Sequence, residues 1–105
     1  MAITRKFKET VQARALRDVK FREGILRESI DCMLAGDLAT GKALVRDYIN
    51  ATVGFEKLGQ LIKKDPKSLM RMFSASGNPT AGNLFAVIKV LQKKEGVRFT
   101  VRAVH

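Results

Sequence analysis

The chain carries a single cysteine, Cys32, and a single histidine, His105. One cysteine excludes an intrachain disulfide. One Cys and one His together exclude an ordinary zinc site, which needs four ligands drawn mostly from those two types. The pair also argues against an enzyme. His105 stands at the end of the sequence, and no carboxylate pair or nucleophile constellation accompanies it. No cofactor is expected. No apolar run approaches the roughly 18 residues of a membrane-spanning helix. The opening MAITRKFKETVQ turns polar at once and lacks the apolar centre of a secretory signal. There is no internal repeat, no low-complexity tract and no linker rich in Pro or Ser. A bacterial cytoplasmic location, without membrane association, is the expectation, and a lone cysteine suits a reducing compartment.

Acidic residues are also scarce, 10 against 20 Lys and Arg, which leaves a net charge of +10. Residues 1–53 hold ten basic and seven acidic side chains, a net of +3; residues 54–105 hold ten and three, a net of +7. Such an excess calls for an anionic partner, nucleic acid before anionic lipid, and places it on the second half. The chain is long enough for one domain, and its 46% hydrophobic content supports a modest core without staples.

The apolar spacing predicts an all-α fold of five to six helices with a short C-terminal β-strand. Residues 1–53 form the N-terminal helices, 54–95 a helix-turn-helix region and 96–105 the strand. The opening helix spans 5–17, with Phe7, Val11 and Ala15 on one side. Asp18 caps a helix over 19–35, with an apolar stripe of Phe21, Ile25, Leu26, Ile30, Met33 and Leu34, and Gly36 ends it. Cys32, off the centre of that stripe, reads as an inert thiol. Asp37 caps a helix over 38–52 with Leu38, Gly41, Leu44, Val45, Tyr48 and Ile49 inward, where Gly41 would permit close approach of another helix. Short helices follow over 55–62 and 66–73. A loop, SASGNPTAGN, leads to a last helix over 81–94, with Leu84, Phe85, Val87, Ile88 and Leu91 on its core side and Glu95-Gly96 as its stop. Then the period changes: Val97, Phe99, Val101 and Ala103 alternate with Arg98, Thr100 and Arg102. A lone strand needs a ladder partner, from residues 2–4, a second copy or another protein.

The functional signal lies in KKDPKSLMRMFS. Asp65 offers an N-cap oxygen and Pro66 suits the first helical position. Leu58, Ile62 and Leu69 supply matched apolar contacts between two short helices, and Gly59 lets them cross closely. In a helix-turn-helix the second helix enters the major groove. Lys67, Ser68 and Arg71 would then read bases, Arg71 bidentately on guanine. Lys63 and Lys64 in the turn, with Ser74, Ser76, Asn78 and Thr80 beyond the helix, would hold phosphates. The turn departs from the usual form, with Lys63 where glycine is common and Lys64 where an apolar residue is common. An antiparallel helix pair with a solvated cationic face is the alternative.

The text LVRDYINAT (44–52), PKSLMRM (66–72) and GNPTAGNLFAVIKVL (77–91) resembles the bacterial addiction-module antidote proteins, small regulators of the HigA-like antitoxin and phage-repressor superfamily. The likeness runs from about Phe7 to Arg102. It implies a repressor-like DNA-binding domain, a homodimer on a palindromic double-stranded DNA operator, association with the nucleoid, and often a RelE/HigB-like toxin as partner. It also makes PKSLMR the recognition helix. Because the chain is strongly basic, capture of a basic toxin would need a local acidic patch: Glu23, Glu28, Asp31 and Asp37. The leading expectation is the antitoxin of a toxin–antitoxin module that represses its own operon. The alternatives are a toxin-sequestering protein with secondary DNA binding, a stand-alone phage-type repressor, and a sequence-independent binder of RNA or DNA.

Overall fold

The computed structural model describes residue 13 and residues 17–105. The helix expected over 5–17 and the candidate ladder partner at 2–4 lie outside the described residues, apart from Ala13 and Arg17, which are helical. The rest is all-helical: α1 (Val19–Leu34), α2 (Leu38–Ala51), α3 (Phe55–Ile62), α4 (Pro66–Met72) and α5 (Ala81–Glu95).

Each boundary follows from residues at its ends. Asp18 Oδ1 accepts the Phe21 N–H at 3.0 Å, and Asp37 Oδ1 accepts that of Thr40 at 3.1 Å. These carboxylates satisfy N–H groups that the first helical turn leaves without a partner. Gly36, at φ 88°, turns the chain out of α1 in the left-handed region, and the Asp37 N–H returns to the Cys32 carbonyl at 2.8 Å. Ala35, the C-cap of α1, and Asp37, the N-cap of α2, are thus separated by a single glycine, and α2 folds back along α1. Gly41 sits where they meet: a Cβ there would lie 2.6 Å from Met33 Cγ and 3.0 Å from the Ser29 carbonyl oxygen. The close approach expected from Gly41 is present. Thr80 caps α5 through the Asn83 N–H at 3.2 Å, and Gly96 ends it at φ 73°.

The core joins Leu26 of α1, Val45, Tyr48 and Ile49 of α2, Phe55 and Leu58 of α3, Leu69 of α4, Phe73, and Val87 and Leu91 of α5. Several residues expected inward are not in it; Leu38 of α2 is 37% exposed, and Leu61, expected on the buried side of α3 with Leu58 and Ile62, is 42% exposed. Phe85 is 64% exposed and Leu34 66%. At about 100° per residue, Phe85 lies more than a quarter-turn from the centre of the Leu84–Val87–Ile88–Leu91 stripe, and Leu34 is similarly offset from the centre of its own in the last turn of α1. Both line a groove of about 610 Å³ between α1, α5 and residues 99–101.

The C-terminal strand is corrected. Among the described residues there is no strand, and 97–105 has no regular secondary structure. The Phe99 N–H is satisfied locally, by Gln92 Oε1 at 2.7 Å, and Phe99 packs against the core. Without a neighbouring strand the alternating side chains have no ladder to join.

A polar contact unites three helices inside this frame. The Glu95 carboxylate, 3% exposed, takes Arg22 Nε at 2.6 Å and Nη2 at 2.9 Å, and accepts the Tyr48 hydroxyl. Hydrogen bonds from Arg22 hold the Glu95 carboxyl below the usual carboxylate range. Burial, and then donation to Glu95, push the Tyr48 hydroxyl well above its ordinary value. Arg22→Met strands the carboxylate and is expected to lower unfolding free energy by about 3 kcal/mol at neutral pH, read by urea denaturation. Because folding depresses the Glu95 pKa, its contribution is full above the ordinary value of 4.5 and fades as pH falls below it toward the folded value. The gap between wild type and variant should narrow over that interval; a gap independent of pH would remove the ion pair as its source.

Candidate nucleic-acid interface

Helices α3 and α4 are joined by the three residues 63–65. Their close crossing has a local cause. A Cβ at position 59 would stand 2.6 Å from the Lys64 carbonyl oxygen and 3.1 Å from Pro66 Cγ, so only glycine admits the turn. The Gly59 carbonyl accepts the N–H groups of both Lys63 and Lys64, the latter at 2.9 Å. Lys63 adopts the left-handed conformation, φ 57° and ψ 50°, alone among non-glycine described residues. The unusual lysine at the glycine position is therefore accommodated by the conformation glycine would take, at a steric cost. Asp65 caps α4 through the Ser68 N–H at 3.2 Å, and Pro66 opens it. Leu58 and Leu69 are fully buried, and Ile62 packs against the core they belong to.

The outer face of α4 carries Lys67, Met70 and Arg71, all exposed. Positions i, i+3 and i+4 share one side of a helix, so these three form a contiguous arc opposite Leu69 and Phe73. Ser68 lies at its edge, half-buried. Its hydroxyl donates to Asp65 Oδ2 at 3.2 Å and accepts from Arg71 Nη2 at 3.3 Å. Lys67, Ser68 and Arg71 are thus brought together as expected, but Ser68 is engaged in the cap. Met70, 45% exposed, is an apolar member of the arc that the sequence reading passed over.

Lys63 and Lys64 are exposed on the turn beside α4. Beyond the helix, Ser76, Asn78 and Thr80 are exposed and Ser74 is half-buried. The Ser74 hydroxyl donates to the Arg71 carbonyl at 2.6 Å, and the Thr80 hydroxyl oxygen is the cap of α5. The Thr80 hydroxyl keeps its O–H donor for a ligand, whereas the Ser74 hydroxyl has given its proton to Arg71 and keeps only acceptor capacity.

Two basic residues of α2 reach this loop from beneath. Lys42, only 5% exposed, donates its ammonium to the carbonyls of Ser74, at 3.0 Å, and Gly77. Arg46 Nη1 approaches the Phe73 carbonyl at 3.5 Å. The sequence held the signal for Lys42: it falls on the same helical side as Leu38, Val45 and Ile49, a lysine on a stripe that faces inward.

On α1, Glu28 and Asp31 are exposed and Glu23 is half-buried, and Asp37 is exposed at the start of α2. Asp37 is held below its usual value by its hydrogen bonds with Thr40. Desolvation and the nearby Glu28, Asp37 and Asp31 carboxylates raise the Cys32 thiol, which disfavours a reactive thiolate. Among the described residues there is no His, Cys, Asp and Glu cluster suited to a metal, and no helix long and apolar enough to cross a membrane.

Lys63→Gly should relieve the left-handed strain and raise stability by about 1 kcal/mol, seen as a higher thermal midpoint. A lower midpoint would mean that the lysine side chain itself holds the turn.

Compared with known proteins, the chain matches no family model, no curated protein and no solved structure.

Proposed function

We propose that α3, its three-residue turn and α4 are a helix-turn-helix unit that binds duplex DNA in a sequence-specific manner. On this reading the chain is a transcriptional regulator, the antitoxin of a toxin–antitoxin module that represses its own operon as a homodimer. One observation carries the DNA-binding reading: α4 buries Leu69 in the core with Met72 packed against it, and presents Lys67, Met70 and Arg71 together outward, beside exposed Lys63 and Lys64. The resemblance of 44–52, 66–72 and 77–91 to addiction-module antidotes supplies the operon and the toxin. The exposed carboxylates of α1 support the second reading, toxin capture with DNA binding secondary.

With α4 in the major groove, Arg71 donates in a bidentate manner to guanine O6 and N7, and Lys67 reaches a neighbouring acceptor. Ser68 positions Arg71 through its hydroxyl and contacts bases less than the other two. Met70 meets the one apolar group the groove displays, the C5-methyl of thymine. Lys63 and Lys64 neutralise phosphates, and Ser76, Asn78 and Thr80 add neutral contacts to the backbone, which Ser74 joins only by releasing its bond to the Arg71 carbonyl.

Selection of bound duplexes from a random pool tests this directly. A preferred sequence should emerge, and Arg71→Ala should cost about 1–3 kcal/mol on it while barely changing affinity for random duplex. Equal losses on both would refute base reading by Arg71. Equal wild-type affinity for selected and random duplexes would identify a sequence-independent binder.

Met70 has a separate test. Replacing thymine by uracil in the selected site removes only the methyl group, worth about 0.8 kcal/mol when buried. At one thymine position the replacement should weaken wild type and leave Met70→Ala unaffected. Equal sensitivity of both proteins at every position would exclude the contact.

A further inference from the structure

We propose that Lys42 is a positioning residue of the DNA-binding surface: its buried ammonium draws the loop carbonyls after α4 inward, so that residues 74–78 offer phosphate hydroxyl and amide donors. The inference rests on the proposed role of α3 and α4 and adds a residue from another helix to their site.

The need arises from helix chemistry. The C-terminal end of α4 exposes carbonyl oxygens and is the negative pole of the helix. A DNA backbone beside it is anionic, and carbonyls aimed at phosphate would repel it. Here the carbonyls of Ser74 and Gly77 both point to Lys42 Nζ, and that of Phe73 to Arg46. The Ser74 carbonyl also accepts the Gly77 N–H at 3.1 Å, which closes the turn on itself. Gly77 lies so close under α4 that a Cβ would stand 1.9 Å from the Arg71 carbonyl oxygen and 2.6 Å from that of Met72. The loop is thus pressed onto the end of α4 and tied to α2 by one ammonium. Its outward side retains Ser76 and Asn78.

A structural role is part of this, since an apolar residue at position 42 would leave the Gly77 carbonyl without its donor. Direct phosphate binding by Lys42 fails on access, since the side chain is buried and its donors face two carbonyls. What a cation contributes here and a methionine would not is control of where the carbonyls point.

The test uses the full chain, Lys42→Met, Lys42→Gln and the double variant Ser76→Ala/Asn78→Ala. Duplex affinities are measured across a salt series, at temperatures where circular dichroism shows each protein folded. Lys42→Met should weaken binding to selected and random duplexes alike, by about tenfold, the equivalent of 1.4 kcal/mol. The slope of log affinity on log salt should stay unchanged, because a counterion is released only by a cation that meets phosphate. Combined with Ser76→Ala/Asn78→Ala, the Lys42→Met loss should nearly vanish, since the contacts it positions are already gone. Lys42→Gln keeps an N–H donor without the charge and should show a smaller loss; it serves alone if the methionine variant does not fold.

A folded variant with wild-type affinity overturns the inference. So do losses that simply multiply, or a slope lowered by about 0.9, which would make Lys42 a direct phosphate ligand. These outcomes leave DNA binding by α3 and α4 standing. Wild-type protein that binds neither duplex removes that reading, and this inference with it.

Discussion

The Glu95 carboxylate holds together what the helices alone would leave loose. It sits at the end of α5, takes a forked guanidinium from α1 and a phenol from α2, and is almost wholly shielded from water. A forked pair fixes the relative angle of the groups that bear it, which dispersion between leucines does not. Helix α2 then extends that order. Tyr48 belongs to the carboxylate, and Lys42, six residues earlier and about 9 Å along the axis, belongs to the loop behind α4. One rigid rod thus connects the shared carboxylate to the surface that would meet a partner.

Much of this frame is written in short-range chemistry. Asp18, Gly36, Asp37, Asp65, Pro66 and Gly96 each act on their immediate neighbours, so helix ends could be read from them. Gly41 and Gly59 were readable as close approaches because a glycine within a helix is unfavourable unless a neighbour needs the space. The Arg22–Tyr48–Glu95 contact was not readable. Its members lie 26 and 47 residues apart in sequence, and nothing local distinguishes Glu95 from a solvated glutamate at the end of a helix. Lys42 and Met70 lie between these cases. Each breaks the pattern of its own helical side, a cation on the inward stripe and an apolar group on the outward one.

Residues 97–105 illustrate the converse. Alternation at period two describes which side chains would share a face if a ladder existed; it does not create the ladder. In this chain the nearest partner for the Phe99 N–H is a glutamine side chain one helical end away, and that contact is sufficient. Phe85 differs in kind: its helix was placed correctly, but one residue beyond a stripe is enough to leave an aromatic ring at the rim of a groove.

The length of α4 sets a limit on the proposed recognition. Seven residues give two turns, and one outward arc of Lys67, Met70 and Arg71. A good bidentate pair discriminates by about 1–3 kcal/mol, and a buried methyl adds about 0.8. One copy therefore reaches roughly 2–4 kcal/mol with its best two contacts, short of most of the about 4–10 that separates specific from non-specific binding. Two copies on symmetric half-sites double the term and enter that range. The arithmetic of a short reading helix thus favours the proposed homodimer independently of the resemblance. A short reading helix also gives neutral backbone contacts more weight, because they fix the angle at which a few side chains enter the groove. That is the place where a lysine buried under the loop has its effect.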